Sequence, residues 1–342
     1  MSKKTVEEYL AEVDYKAMAS EYVPSEFALR YMNFIKMVNA GKEDIQASPA
    51  MHYKMADSFV SKKSRIANLV FRGGAKTSVF AEYLVLYLAI FNTLPSLGLC
   101  NVIMYVSDSM DNGGKSFRMN VQARYEHSPF LQEYIPEAKF TDDNLIFTNK
   151  EGKETYIRIF GAASGVRGFK RNGDRPVLAI LDDLISNEIA NSKLQLDKIK
   201  DTIYKDVDNA LNPMRNKIIL NGTPFNKADP VIEAIESGAW EANVYPVCSQ
   251  FPCNKNEFDG AWEERFSYEF IKARYEDAVK LGKVKAFNQE LMLRITSDED
   301  RVILDSDISW FKRKEILDNR RRYNWYITTD FATSTNRKAD YT

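Results

Sequence analysis

The chain has 342 residues, a length that suggests two average domains, and 44% of them are hydrophobic, ample for a packed core. Its formal net charge of -1 provides no global positive field, so any nucleic-acid contact has to come from local basic patches. Cys100, Cys248, Cys253, His52 and His127 match no zinc spacing, which argues against a structural metal and for reduced thiols in a cytosolic setting. The longest apolar run, Tyr83 to Phe91, falls far short of the roughly 20 residues that span a bilayer, so no membrane partner is expected. Met1 to Lys4 leads into acidic residues rather than an apolar signal segment.

Residues 1–64 are rich in Ala, Met, Tyr, Glu and Lys and read as a helical N-terminal subdomain. One helix is predicted from Glu26 to about Asn39, capped by Ser25 and ended by Gly41. This region either covers a sheet or offers a surface to another subunit. At its end, Met51-His52-Tyr53 lies in position to reach an adenine base.

Ile66 to Phe71 is a short apolar run that predicts a buried strand, and Val79 to Asn92 predicts a helix packed on a sheet. Between them stands Arg72-Gly73-Gly74-Ala75-Lys76-Thr77-Ser78. Strand, Gly-containing turn, Lys-Thr and helix form the architecture of a phosphate-binding loop. Free backbone N–H groups at the helix start would hold phosphate oxygens, with Lys76 against the β- and γ-phosphates and the Thr77 hydroxyl on Mg²⁺. The strict pattern is not met: Val70 and Ala75 occupy the positions where the standard motif has glycine. By itself the octet also fits an ordinary strand-to-helix turn.

Asn101 to Ser107 predicts a second strand, and a long stretch from Lys115 to Tyr134 carries Arg118 and Arg124. A hairpin is predicted from Asn144–Thr148, a turn at Asn149 to Gly152, and Thr155–Phe160. Gly165-Val-Arg167-Gly168 follows, inside a basic stretch with Lys170, Arg171 and Arg175. A Gly-flanked arginine suits an arginine finger acting on a neighbouring subunit, while the same patch suits DNA phosphates. Val177 to Leu181 predicts a buried strand that ends in Asp182-Asp183. Asp182 would hold Mg²⁺ through water, and Asp183 would orient and polarise the attacking water. Residues 188–211 read as helical. Lys217 to Leu220 predicts a further strand, broken by Asn221-Gly222-Thr223-Pro224. Thr223, at that strand tip, is the candidate that transmits hydrolysis to the rest of the protein. Short apolar strands alternating with helices predict an α/β fold with a mainly parallel sheet and helices on both faces, its ligands at the C-terminal strand tips.

With these motifs in this order, the chain resembles the large terminase subunit of tailed double-stranded-DNA bacteriophages, the motor that pumps DNA into the capsid. The loop from Arg72 to Thr77, Gly-Val-Arg167-Gly, Asp182-Asp183 and Gly-Thr223-Pro carry the resemblance. Trp262-Glu-Glu-Arg265-Phe266 followed by Phe287-Asn-Gln289-Glu290 adds to it. It covers roughly residues 60–342 and departs from the family where Asp183 replaces a common Glu and where no adenine-contacting Gln precedes the first strand.

The resemblance implies an ASCE-type P-loop ATPase domain at 65–311 with a C-terminal helical lid, a basic linker at 312–322, and the truncated start of an RNase H-like nuclease domain at 323–342. It implies phosphate contact by Arg72 and a first nuclease metal ligand at Asp330. It further implies ATP and Mg²⁺ as cofactors, and double-stranded DNA, the capsid portal protein, the small terminase subunit and a homo-oligomeric ring as partners, in the host cytoplasm. The remaining nuclease carboxylates are absent from this sequence, so no nuclease activity is expected of it. Two other readings fit the same residues: another P-loop nucleic-acid ATPase of the helicase kind, and a nucleotide-binding assembly protein that does not hydrolyse.

Overall fold

The computed structural model describes residues 3–41, 46–190, 192–295 and 318–322. The chain divides into two compact units, Met1–Thr296 and Ser297–Thr342. In the second unit the described residues form one short 3₁₀ turn, Arg320–Arg322. Asp330 and the expected nuclease strand lie outside the described residues.

Ten strands are described: β1 (Arg65–Val70), β2 (Thr93–Leu94), β3 (Gly98–Leu99), β4 (Val102–Ser107), β5 (Glu137–Phe140), β6 (Asn144–Thr148), β7 (Glu154–Gly161), β8 (Leu178–Asp182), β9 (Lys217–Gly222) and β10 (Glu241–Tyr245). β2 and β3 form a small ribbon. The other eight form one sheet in the order β10-β1-β9-β8-β4-β7-β6-β5. The six strands from β10 to β7 run parallel, and the β6 and β5 hairpin strands add antiparallel at one edge. β1, β4, β8 and β9 are the short, Val/Ile/Leu-rich runs expected of strands covered on both faces. The fold is therefore mixed α/β, with helices flanking a mostly parallel sheet.

The N-terminal helices share the sheet's core. Ser25 caps the helix Glu26–Val38 by accepting from Ala28 N. From that helix Phe27, Tyr31 and Phe34 pack against Phe59 and Tyr87 with edge-on ring contacts. Each such ring contributes about 1.5–3 kcal/mol through burial. The Tyr31 hydroxyl, fully buried, donates to Val79 O at 2.6 Å and ties this layer to the first turn after the loop.

Three details differ from the sequence reading. The run after the loop opens as a π-helical turn, Ser78–Glu82, before the α-helix Tyr83–Phe91. Its last residue, Glu82, is buried and needs partners: Arg124 at 2.5 Å and Asn120 at 2.8 Å from the helix Lys115–Glu126. Asn221 and Gly222 do not break the strand. They belong to β9, because the Asn221 side chain finds its hydrogen bonds across the sheet. β5 and β10 escaped the sequence reading; both are edge strands, short and only partly buried.

Candidate functional site

The parallel strands bring two chain tips together at one edge. β1 runs into the loop Phe71–Ser78, and β8 ends at Asp182, with β9 lying between them. The loop is held at its base. Phe71 N donates to Tyr245 O at 3.0 Å, and Arg72 N to Glu290 O at 2.8 Å. Gly73 has φ +94°, and a Cβ there would come within 2.9 Å of Phe266 Cζ. Ala75 has φ +64°, in the left-handed region that favours glycine. That conformation accounts for the glycine of the standard motif at this position; here an alanine carries the strain.

Two contacts join loop and strand tip. The Thr77 hydroxyl donates to Asp182 Oδ2 at 2.7 Å, and Lys76 Nζ lies 2.8 Å from Asp183 Oδ2. Lys76 is mostly buried, and Asp183 is half exposed, with φ +45°. Asp182 is buried and also accepts from Asn221 Nδ2 at 3.2 Å and the Tyr105 hydroxyl at 3.4 Å. Burial first, then the neighbouring Asp183, pushes its carboxyl up to about 7. Lys76, Thr77 and Asn221 pull the other way.

The cleft around these groups has a volume of about 460 Å³. Arg72, Lys76, Thr77, Asp182, Asp183 and Thr223 all line it, as do Tyr105, Phe117 and Glu290. Thr223 Oγ1 donates to Val70 O at 3.1 Å, so it touches the strand that carries the loop. Arg72, largely exposed, reaches Glu290 Oε2 at 3.3 Å.

Arg167 does not line the cleft. It is largely exposed and pairs with Asp206 at 2.5 Å. In the same basic stretch Arg171 pairs with Glu154, and Arg175 donates to Asn209 O. Ser78 and Ala75 line a second cavity of about 830 Å³, together with His52, Tyr83, Arg124, Trp262 and Arg265. His52 Nε2 is 3.1 Å from Gly74 O, and its ring lies edge-on to Trp262 at 4.8 Å. Burial lowers the imidazole to about 4, so it is neutral near pH 7 and donates to that carbonyl. The sequence pointed to His52 by position alone. Trp262 and Arg265 were legible only as part of a motif, and nothing in the sequence singled out Tyr105.

Among the described residues no group of three or more His, Cys, Asp or Glu side chains could hold a metal ion by itself. Thr77 and Asp182 instead offer two convergent oxygens. That set fits Mg²⁺, which takes few protein ligands and completes its shell with substrate phosphates and water.

No family model matches the chain, and no curated protein matches it in sequence. Among solved structures it is similar to one described as the Phi-28 gp11 DNA packaging motor, with a TM-score of 0.36 and 10% identity over 69% of this chain and 67% of that one. A likeness of that size leaves the reading of the site to its own geometry. No helix among the described residues is long and apolar enough to cross a membrane.

Proposed function

We propose that this chain is an ASCE-type P-loop ATPase that drives viral double-stranded DNA into a capsid, a large terminase subunit. The observation that carries the proposal is the convergence of Lys76-Thr77 with Asp182-Asp183 at one sheet edge, across the intervening β9. β9 lies between the strand that carries the loop and the strand that carries the two aspartates, and the groups at their tips line one cleft of about 460 Å³.

In this reading the loop amides and Lys76 bind the phosphates, and Arg72 leaves Glu290 to join them. Thr77 and Asp182 would hold Mg²⁺, which neutralises charge developing on the phosphoryl oxygens. Lys76 turns from Asp183 to the phosphates as the nucleotide arrives, freeing the Asp183 carboxylate to orient and deprotonate the attacking water. The nucleoside lies in the second cavity, its base against Trp262 and neutral His52. Thr223, bonded to the end of β1, passes the change on. Arg167 leaves Asp206 to serve the site of a neighbouring subunit in a ring. Its basic neighbours meet DNA, and the portal protein and small subunit complete the machine.

The test is ATP turnover in the presence of duplex DNA carrying a bound third strand. DNA-stimulated turnover that displaces the third strand without separating the duplex supports the proposal. Duplex unwinding would make the chain a helicase, and ATP binding without turnover would make it an assembly protein.

A further inference from the structure

Three asparagines run inward from the edge strand β10 and end on Asp182. Asn243 on β10 is the register partner of Asn68 on β1, Asn68 of Asn221 on β9, and Asn221 of Asp182 on β8. Their side chains are joined in the same order. Asn243 Nδ2 donates to Asn68 Oδ1 at 2.9 Å, Asn68 Nδ2 to Asn221 Oδ1 at 2.8 Å, and Asn221 Nδ2 to Asp182 Oδ1 at 3.2 Å. Asn68 and Asn221 are fully buried, and their neighbours along the strands on the N-terminal side are Ile66-Ala67 and Ile218-Ile219-Leu220. Asparagine is disfavoured in strands, and a buried amide is costly unless bonded. Packing alone gives no reason for a row of them.

The row has a direction, and Asp182 sets it. Asp182 Oδ1 accepts from Asn221, so Asn221 turns its NH₂ toward Asp182 and its carbonyl toward β1. Asn68 must then donate to Asn221 and accept from Asn243. Turning over any one amide sets two oxygens or two NH₂ groups face to face. The row thus acts as a lock on the orientation of Asn221. It also divides the carboxylate: Oδ1 is tied to Asn221, while Oδ2 is left to Thr77 and Tyr105 on the cleft side.

We infer that Asn68 is a positioning residue for a divalent cation: through Asn221 it fixes the Asp182 carboxylate so that Oδ2 and the Thr77 hydroxyl form a preset pair of oxygen donors. The inference rests on the nucleotide reading above, since the cation is the one that accompanies the nucleotide. Without Asn68, the buried Asn221 carbonyl loses its donor, so Asn221 is no longer held in place and the Asp182 carboxylate it orients is free to rotate.

The test uses Mn²⁺ as the probe, titrated by electron paramagnetic resonance with ADP bound, and separately measures ADP affinity in EDTA. Asn68→Leu, of similar volume, should weaken Mn²⁺ binding about tenfold, the scale of one hydrogen bond to a charged group. ADP affinity in EDTA should stay within about twofold, because the loop contacts are untouched. Asn243→Val, at the half-buried end of the row, should weaken Mn²⁺ by about threefold, and it decides the matter if Asn68→Leu does not fold. Ile66→Ala, elsewhere on β1, should lower the melting temperature and leave Mn²⁺ affinity alone. Unchanged Mn²⁺ affinity in the folded asparagine variants overturns the inference, as does an equal loss in Ile66→Ala, which would make the row merely structural. A wild-type protein that binds ADP in EDTA but gains no Mn²⁺ affinity from it overturns the inference and spares nucleotide binding. A wild-type protein that binds no ADP overturns both.

Discussion

Replacing Lys76 with Met, and separately Asp183 with Asn, should move nucleotide affinity in opposite directions. In the resting molecule the two side chains hold each other at 2.8 Å, and Asp183 is half exposed. An ion pair with one partner open to solvent is worth about 0–1 kcal/mol. A charge-assisted bond from Lys76 to a phosphate oxygen is worth about 1.5–3 kcal/mol. The exchange therefore favours the nucleotide by about 1–2 kcal/mol, and Lys76→Met should cost roughly 5- to 30-fold in affinity. Asp183→Asn removes the competitor for the ammonium, so binding should hold or tighten by up to about fivefold, while turnover falls by about 10²–10⁴ with loss of the base. Calorimetric titration of Mg²⁺ and a slowly hydrolysed ATP analogue into each variant reads both effects. If a folded Lys76→Met protein binds within twofold of wild type, or Asp183→Asn binds tenfold more weakly, the exchange of partners at Lys76 is wrong.

Three further outcomes follow from the same geometry. Trp262→Leu should weaken ATP about tenfold by removing a wall for the base, yet leave inorganic tripolyphosphate binding unchanged in a competition titration; equal losses would put the base elsewhere. Asp182 is raised to about 7 in the folded chain, so its proton stabilises the fold at low pH, and that stability is lost as pH rises from about 4 through 7. Without nucleotide, Asp182→Asn should therefore gain on wild type in thermal unfolding between pH 5 and pH 8, by at least about 1 kcal/mol, and a constant difference would refute the burial argument. Arg167→Ala should lose about 10³ in turnover of the assembled protein but bind ATP normally. Mixing it with Lys76→Ala should restore part of the rate, since each ring would then hold intact sites facing intact fingers; no recovery at any mixing ratio would remove Arg167 from the neighbour's site.

Much of the framework was legible because buried parallel strands leave a plain trace. Ile66 to Phe71, Val177 to Leu181 and Lys217 to Leu220 are apolar runs apart from Asn68 and Lys217, bounded by polar tips, and they became β1, β8 and β9. The hairpin from Asn144 and the Ser25 cap were equally direct. Edge strands left less. Glu137-Ala-Lys-Phe140 and Glu241-Ala-Asn-Val-Tyr245 are too short and too polar to separate from loop by periodicity. Asn221 misled for a physical reason: an amide that ends a strand when unpartnered extends it when a neighbouring strand supplies the bond. Within the cleft, residue types and spacing pointed to Lys76, Thr77, Asp182 and Asp183, which the fold brings together. Tyr105, Asn68 and Asn243 owe their places to register across strands far apart in the chain, which no local pattern records.

The most direct test of the account is Mg²⁺-dependent ATP hydrolysis measured across a range of protein concentrations, beside Lys76→Ala and Asp183→Asn. The account predicts specific activity that climbs as subunits assemble and vanishes in both variants. Activity that is flat with concentration and persists in either variant would contradict it.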